Sequence, residues 1–130
     1  MWKGVIPAVT TKFHADESLD LKEMERCFGL QIDAGVDGLI VAGSLGEGPM
    51  LSLDEKTEVF KIAKSVAGKL PVLVTVNEAG TREAEAAARA AAKAGADGLM
   101  VVPSMVYHTN PAETVATLND VANAGGLPVM

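Results

Sequence analysis

The sequence contains a single cysteine, only 4% aromatic residues and no excess of basic residues. Because one cysteine cannot form an internal disulfide, its presence is typical of a reducing compartment. The net charge of −6, with acidic and basic residues interleaved, argues against a nucleic-acid partner. No apolar run reaches the ~18 residues of a membrane helix, and the N-terminus lacks a signal-peptide pattern. We therefore expect a cytoplasmic protein with neither a membrane nor a nucleic-acid partner.

Short apolar runs alternate with helical patterns along the 130 residues, of which 48% are hydrophobic. The apolar runs predict strands at about 4–9, 38–42, 71–76, 98–102 and 128–130. Four capping residues mark the starts of the helices between them: Asp20, Ser52 (with Glu55 in a capping box), Thr81 and Asn110. This length and composition suit one α/β domain, over residues 1–130.

A repeated segment connects helices to strands. The sequence Ala-Gly-x-Asp-Gly-Leu occurs at 34–39 and again at 94–99, an offset of 60 residues. This offset equals two units of about 30 residues, the size of one strand-plus-helix unit. Such a repeat predicts a parallel sheet.

Two architectures fit this pattern. One is a flavodoxin-like doubly wound sheet, for which 130 residues is a complete length. The other is the N-terminal half of a (β/α)8 barrel, which needs about 250 residues in full. The last residues, 128–130, begin an apolar strand that no helix follows. This favours the half-barrel, with four β/α units and the start of a fifth strand.

A glycine-rich turn follows the second predicted strand. Residues 43–47 read Gly-Ser-Leu-Gly-Glu, after a continuous apolar run at 39–41. Its two glycines allow unusual backbone angles and the close approach of a ligand. Because α/β proteins bind ligands at the carboxyl ends of their strands, we take this turn as the candidate site.

Three segments together resemble the dihydrodipicolinate synthase and N-acetylneuraminate lyase family. They are Gly-Val-Ile-Pro-Ala-Val-Thr-Thr-Lys-Phe at 4–13, the turn at 43–47, and Ala-Gly-Ala-Asp-Gly-Leu-Met-Val-Val-Pro at 94–103. The resemblance implies a (β/α)8 barrel that forms a Schiff base between a lysine and a 2-oxo acid. It also implies a homo-oligomer, either a tetramer or a dimer. The sequence contains no metal-binding motif, and we expect no cofactor.

The turn is similar to the Gly-Thr-Thr-Gly-Glu loop that holds the substrate carboxylate in this family. The resemblance implies substrate contacts from four residues of the turn: Gly43, Ser44, Leu45 and Gly46. Ser44 keeps the hydroxyl that also relays protons, whereas Leu45 replaces a threonine and cannot donate a side-chain hydrogen bond. We expect Glu47 to brace the loop. Tyr107 resembles a catalytic tyrosine that reaches into the neighbouring subunit's site.

The resemblance places the Schiff-base lysine on a sixth strand, outside residues 1–130. Lys12 follows the first predicted strand, but it lies in a polar loop that does not suit such a lysine. Three hypotheses remain open. The first is a catabolic lyase of the aldolase or dehydratase/deaminase type that acts on a 2-oxo acid. The second is dihydrodipicolinate synthase itself, which uses pyruvate and aspartate semialdehyde. The third is a noncatalytic half-barrel.

Overall fold

Helices alternate with parallel strands in the computed structural model, which describes residues 2–104 and 109–130. In chain order the elements are α1 (Leu21–Asp33), β1 (Leu39–Val41), α2 (Leu53–Ala67), β2 (Val72–Val76), α3 (Thr81–Ala94), β3 (Gly98–Val101) and α4 (Pro111–Gly125). A short 3₁₀ helix, Gly48–Met50, lies between β1 and α2. In these two ranges, no helix is both long enough and apolar enough to cross a lipid bilayer.

The strands lie in the sheet in the order in which they follow along the chain. β1 pairs with β2 and β2 pairs with β3, both in parallel. Ala8 forms a parallel bridge to Ile40 on one side of this sheet, and Val129 forms another to Leu99 on the other side. A doubly wound sheet would place the first predicted strand between the second and the third. The second and third predicted strands, at 38–42 and 71–76, correspond to β1 and β2. Because these two are direct neighbours in the sheet, the flavodoxin-like alternative is wrong.

The two outer strands of the prediction are shorter than expected. The run at 4–9 pairs only at Ala8, where Val9 donates its N–H to the Ile40 carbonyl at 2.9 Å. Proline has no N–H to donate, so Pro7 offers only its carbonyl, which accepts from Ile40. The run at 128–130 likewise pairs only through the bridge at Val129.

The sheet has two different faces because side chains alternate along each strand. One face packs on the helices and forms the hydrophobic core, with strand residues Leu39, Val41, Val72, Val74, Val76 and Leu99. Phe28 of α1, Phe60 of α2 and Val121 of α4 belong to the same core. The alternate positions Ile40, Leu73 and Thr75 are buried but lie outside this cluster. We call them, with Met100 of β3, the inner face.

The repeated aspartates make equivalent contacts. Asp37 accepts a hydrogen bond from the Val5 N–H at 2.7 Å, and Asp97 accepts one from the Val72 N–H at 2.8 Å. Each aspartate also donates its own backbone N–H to the carbonyl of that same valine. The Ala-Gly-x-Asp-Gly turn therefore ties the start of one strand to the start of its neighbour.

Three of the four predicted helix caps are confirmed. Asp20 accepts from the Glu23 N–H, and Ser52 and Asn110 each form a capping box with a glutamate. The predicted cap at Thr81 is wrong, because Gly80 occupies the N-cap position and Thr81 is the first residue of the helix. Glycine tolerates this position almost as well as a capping side chain does.

Candidate active site

The turn at 43–47 leaves β1 through a sharp change in backbone direction. Ala42 and Glu47 both adopt the left-handed conformation, with φ of 56° and 55°. The Gly43 carbonyl accepts hydrogen bonds from the N–H groups of Gly46 and Gly48, each at 3.0 Å. A side chain at Gly48 would place its Cβ 1.8 Å from the Ala42 carbonyl oxygen. This turn therefore depends on glycine at position 48.

Thr11 holds the turn from the side of the N-terminal segment. Its hydroxyl is buried and donates to the Gly46 carbonyl at 2.6 Å. A Cβ on Gly46 would lie 2.8 Å from the Val9 carbonyl oxygen, so the segment and the turn are in close contact. Sequence reasoning gave Thr11 no role, although it lies in the 4–13 segment that carries the family resemblance.

The amide groups at the tip of the turn are available to a ligand. In the described part of the chain, no group accepts a hydrogen bond from the backbone N–H of Ser44 or Leu45. Ser44 is exposed, and Leu45 is 69% exposed. Glu47 contributes its backbone N–H, which donates to the Ser44 carbonyl at 3.2 Å. The expected brace by its carboxylate has no hydrogen bond to support it among the described residues.

A cavity of about 440 Å³ adjoins the turn. Segments that follow all three strands line it: Ser44 after β1, Asn77 to Gly80 after β2, and Val102 to Ser104 after β3. Lys56 and Glu83 complete its polar lining, and Pro49 and Leu51 are apolar neighbours. The cavity thus lies at the carboxyl ends of parallel strands, where the sequence placed the candidate site.

A buried ion pair forms part of the wall of this cavity. The Lys56 ammonium group contacts the Glu78 carboxylate, and it also donates to the Asn77 side-chain oxygen at 3.3 Å. The two charged side chains are only 6% and 16% exposed. Glu78 accepts a further bond from the Asn77 backbone N–H at 2.9 Å. Sequence reasoning assigned no site role to Lys56, because its partners lie 21 and 22 residues further along the chain.

Of the six residues expected at the site, the structure describes five. Tyr107 lies outside the described residues. Gly43, Ser44, Leu45, Gly46 and Glu47 all follow β1, as expected. Across 2–104 and 109–130, no group of three or more His, Cys, Asp or Glu side chains could hold a metal ion.

Two carboxylates with a lowered pKa, Glu23 and Glu55, lie in the first turns of α1 and α2. The neighbouring Arg26 guanidinium lowers the pKa of Glu23 to about 2. The Ser52 hydroxyl, and then its backbone N–H, lower the pKa of Glu55 below its usual value. Both shifts arise from hydrogen bonds to the charged form of a carboxylate.

Comparison with known proteins identifies the family. The model of the dihydrodipicolinate synthetase family matches residues 1–130, and the chain belongs to this family. A 4-hydroxy-tetrahydrodipicolinate synthase from Salinibacter ruber is 34% identical over 131 residues, covering 100% of this chain. An N-acetylneuraminate lyase from Rhizobium meliloti is 30% identical over 129 residues, covering 98% of the chain. The relatives of this chain are therefore lyases of this family.

Solved structures share the same α/β fold. YagE, a prophage protein of the dihydrodipicolinic acid synthase family from E. coli K12, has been solved in complex with pyruvate. It superposes with a TM-score of 0.93 at 33% identity, covering 100% of this chain and 44% of YagE. The chain likewise spans 43% of the length of the two curated relatives. Its partial parallel sheet matches part of the fold of these barrel proteins.

Proposed function

We propose that this chain is part of a Schiff-base-forming lyase, and that its turn at 43–47 holds the carboxylate of a 2-oxo acid. The observation that carries this proposal is the pair of N–H groups of Ser44 and Leu45, which have no acceptor among the described residues and lie beside the Ser44 hydroxyl. Successive N–H groups in a tight turn form a concave binding site for an anion, and a hydroxyl adds a third donor. Family membership and the pyruvate complex of YagE support a 2-oxo acid as the ligand.

The proposed fold of the chain is half of a barrel. We infer that residues 1–130 form four β/α units and the start of a fifth strand of a (β/α)8 barrel. The sequential strand order and the packing of the helices on one face of the sheet support this inference. In such a barrel the inner face of the sheet points toward the barrel axis.

The amine that forms the Schiff base is not assigned to this chain. A nucleophilic lysine must present a neutral amine with an available lone pair. The amino group of Lys56 is already bonded to Glu78 and Asn77. We therefore give Lys56 of α2 a structural role in the cavity wall, and we propose that the reactive lysine lies on a sixth strand, outside residues 1–130.

Leu45 supports a catabolic lyase of the aldolase or dehydratase/deaminase type over the synthase. It is 69% exposed and offers the ligand an apolar surface where the family turn has a hydroxyl. The 34% identity to the Salinibacter ruber enzyme keeps the synthase as the second candidate. An activity assay of the protein that contains this chain distinguishes the catabolic lyase from the synthase. Release of pyruvate from 2-oxo sugar acids supports the first, and consumption of pyruvate with aspartate semialdehyde supports the second.

The proposed subunit arrangement rests on the family resemblance. We propose a homo-oligomer in which Tyr107 reaches the site of a neighbouring subunit. Light scattering of the protein that contains this chain measures its oligomeric state. A strictly monomeric active protein would contradict this part of the proposal.

An NMR titration tests the proposed role of the turn. Pyruvate added to the ¹⁵N-labelled chain should shift the amide signals of Ser44 and Leu45 more than those of the helices. Ser44→Ala should weaken binding, because it removes one donor to a charged acceptor, worth about 1.5–3 kcal/mol. Ser65→Ala is the matched control, since Ser65 lies exposed on α2 and bonds only its own helix. Shifts spread over the surface without a maximum at the turn would contradict the proposal.

A further inference from the structure

Thr75 of β2 is a polar residue in a fully buried strand. It is 0% exposed, and its hydroxyl has no hydrogen-bond partner within the described ranges. The other four residues of the strand are Val72, Leu73, Val74 and Val76. A buried polar group without a partner destabilises the fold, and most such groups in proteins are bonded. A valine would fill the same space without this penalty, so no contact within the described residues explains the hydroxyl.

The hydroxyl lies directly behind the candidate site. Thr75 belongs to the inner face of the sheet and pairs in register with Met100 of β3. A Cβ built on Gly43 would lie 3.4 Å from the Thr75 hydroxyl oxygen and 3.9 Å from the Met100 methyl carbon. The side-chain position of Gly43 is thus bordered by one donor and one apolar group. Because position 43 is glycine, no side chain there covers the hydroxyl.

We propose that the Thr75 hydroxyl is a specificity-determining group that hydrogen-bonds an oxygen of the bound 2-oxo acid. This inference rests on the proposed function of the turn. The amides of Ser44 and Leu45 hold the acid from the tip of the turn, and Thr75 contacts it from the inner face of the sheet. A hydroxyl can donate to a carboxylate or to a keto oxygen, and both belong to this ligand class.

Met100 controls access to this hydroxyl. Thr75 is closed to solvent, so a ligand must displace a neighbouring group to reach it. Met100 is half-buried, unbranched and flexible, it pairs in register with Thr75, and its methyl borders the same side-chain position of Gly43 as the hydroxyl does. Met100 is therefore the neighbouring side chain that we expect a ligand to displace.

The test compares Thr75→Val with wild type in the complete 130-residue chain, by urea unfolding and by NMR titration with pyruvate and with acetate. Valine keeps the shape of threonine and removes the hydroxyl. We expect the variant to be as stable as wild type or more stable, and to bind pyruvate about tenfold more weakly. Thr75→Ser should retain the binding. Weaker binding of both acids assigns the hydroxyl to the carboxylate, and weaker binding of pyruvate alone assigns it to the keto oxygen.

A matched control variant and the outcomes that would overturn the inference complete the experiment. Thr57→Val removes a hydroxyl that bonds the Leu53 carbonyl on α2, so it should lower stability slightly and leave binding unchanged. If wild type shows no pyruvate-dependent shifts at 43–47, the proposed function fails, and this inference fails with it. If wild type binds and Thr75→Val binds equally well, this inference alone is overturned. A loss of stability in Thr75→Val with unchanged binding would show a purely structural hydroxyl.

Discussion

The Lys56–Glu78 pair provides the sharpest stability prediction. Lys56→Met keeps most of the aliphatic chain and removes the charge, which leaves the Glu78 carboxylate only 16% exposed and without its cationic partner. Removing one partner of a buried pair costs about 3–5 kcal/mol. The Asn77 backbone N–H still donates to Glu78, so the loss should lie near the lower end, at about 3 kcal/mol. Urea unfolding followed by circular dichroism measures this free energy.

Two further variants test the reasoning behind this number. Lys61→Met changes the same residue type at an exposed position of the same helix, and it should alter stability by less than about 0.5 kcal/mol. The double variant Lys56→Met with Glu78→Met removes both charges, so it should be more stable than Lys56→Met alone. A Lys56→Met variant within about 1 kcal/mol of wild type would refute the conclusion that this pair is buried and coupled.

The other predictions concern helix starts and acid stability. Ser52→Ala should lower the free energy of unfolding by about 1 kcal/mol, because Ser52 caps α2 and its capping box with Glu55 is lost; an unchanged midpoint in urea would contradict this. The Glu23 pKa falls from 4.5 unfolded to about 2 folded, so this carboxylate stabilises the fold above pH 4.5 and loses that effect as pH falls toward 2. Arg26→Met should therefore reduce the acid dependence of stability in this window, and only slightly, since the pair is exposed. Equal acid dependence in both chains would show that the pair contributes nothing.

The sequence predicted well those features of the fold that depend on contacts between residues close together in the chain. Asp20, Ser52 and Asn110 were correct as caps because each satisfies backbone N–H groups within three residues. Thr81 failed because a glycine beside it fits the same backbone position, which residue type alone does not resolve. The strand predicted at 4–9 was too long, because pairing at an edge depends on a neighbour and on the missing N–H of Pro7.

Part of the candidate site could be predicted from the sequence, and part of it could not. The turn at 43–47 was found from its glycines and its place after a buried strand, both visible in the sequence. Lys56 was missed because its burial depends on Glu78, which only the packing of α2 beside β2 brings near. Thr75 left a signal that went unused: it is the one polar residue in the Val-Leu-Val-Thr-Val run. Its place behind Gly43 required the register of the sheet.

The central claim is that this chain holds the carboxylate of a 2-oxo acid and does not supply the Schiff-base amine. Borohydride trapping with pyruvate, read by intact mass and peptide mapping, tests it most directly in the 130-residue chain. A Schiff base that forms on one lysine would be reduced to a stable adduct at that residue. We predict only weak labelling scattered over several exposed lysines. A near-stoichiometric adduct on a single lysine, Lys12 or Lys56 above all, would contradict the account.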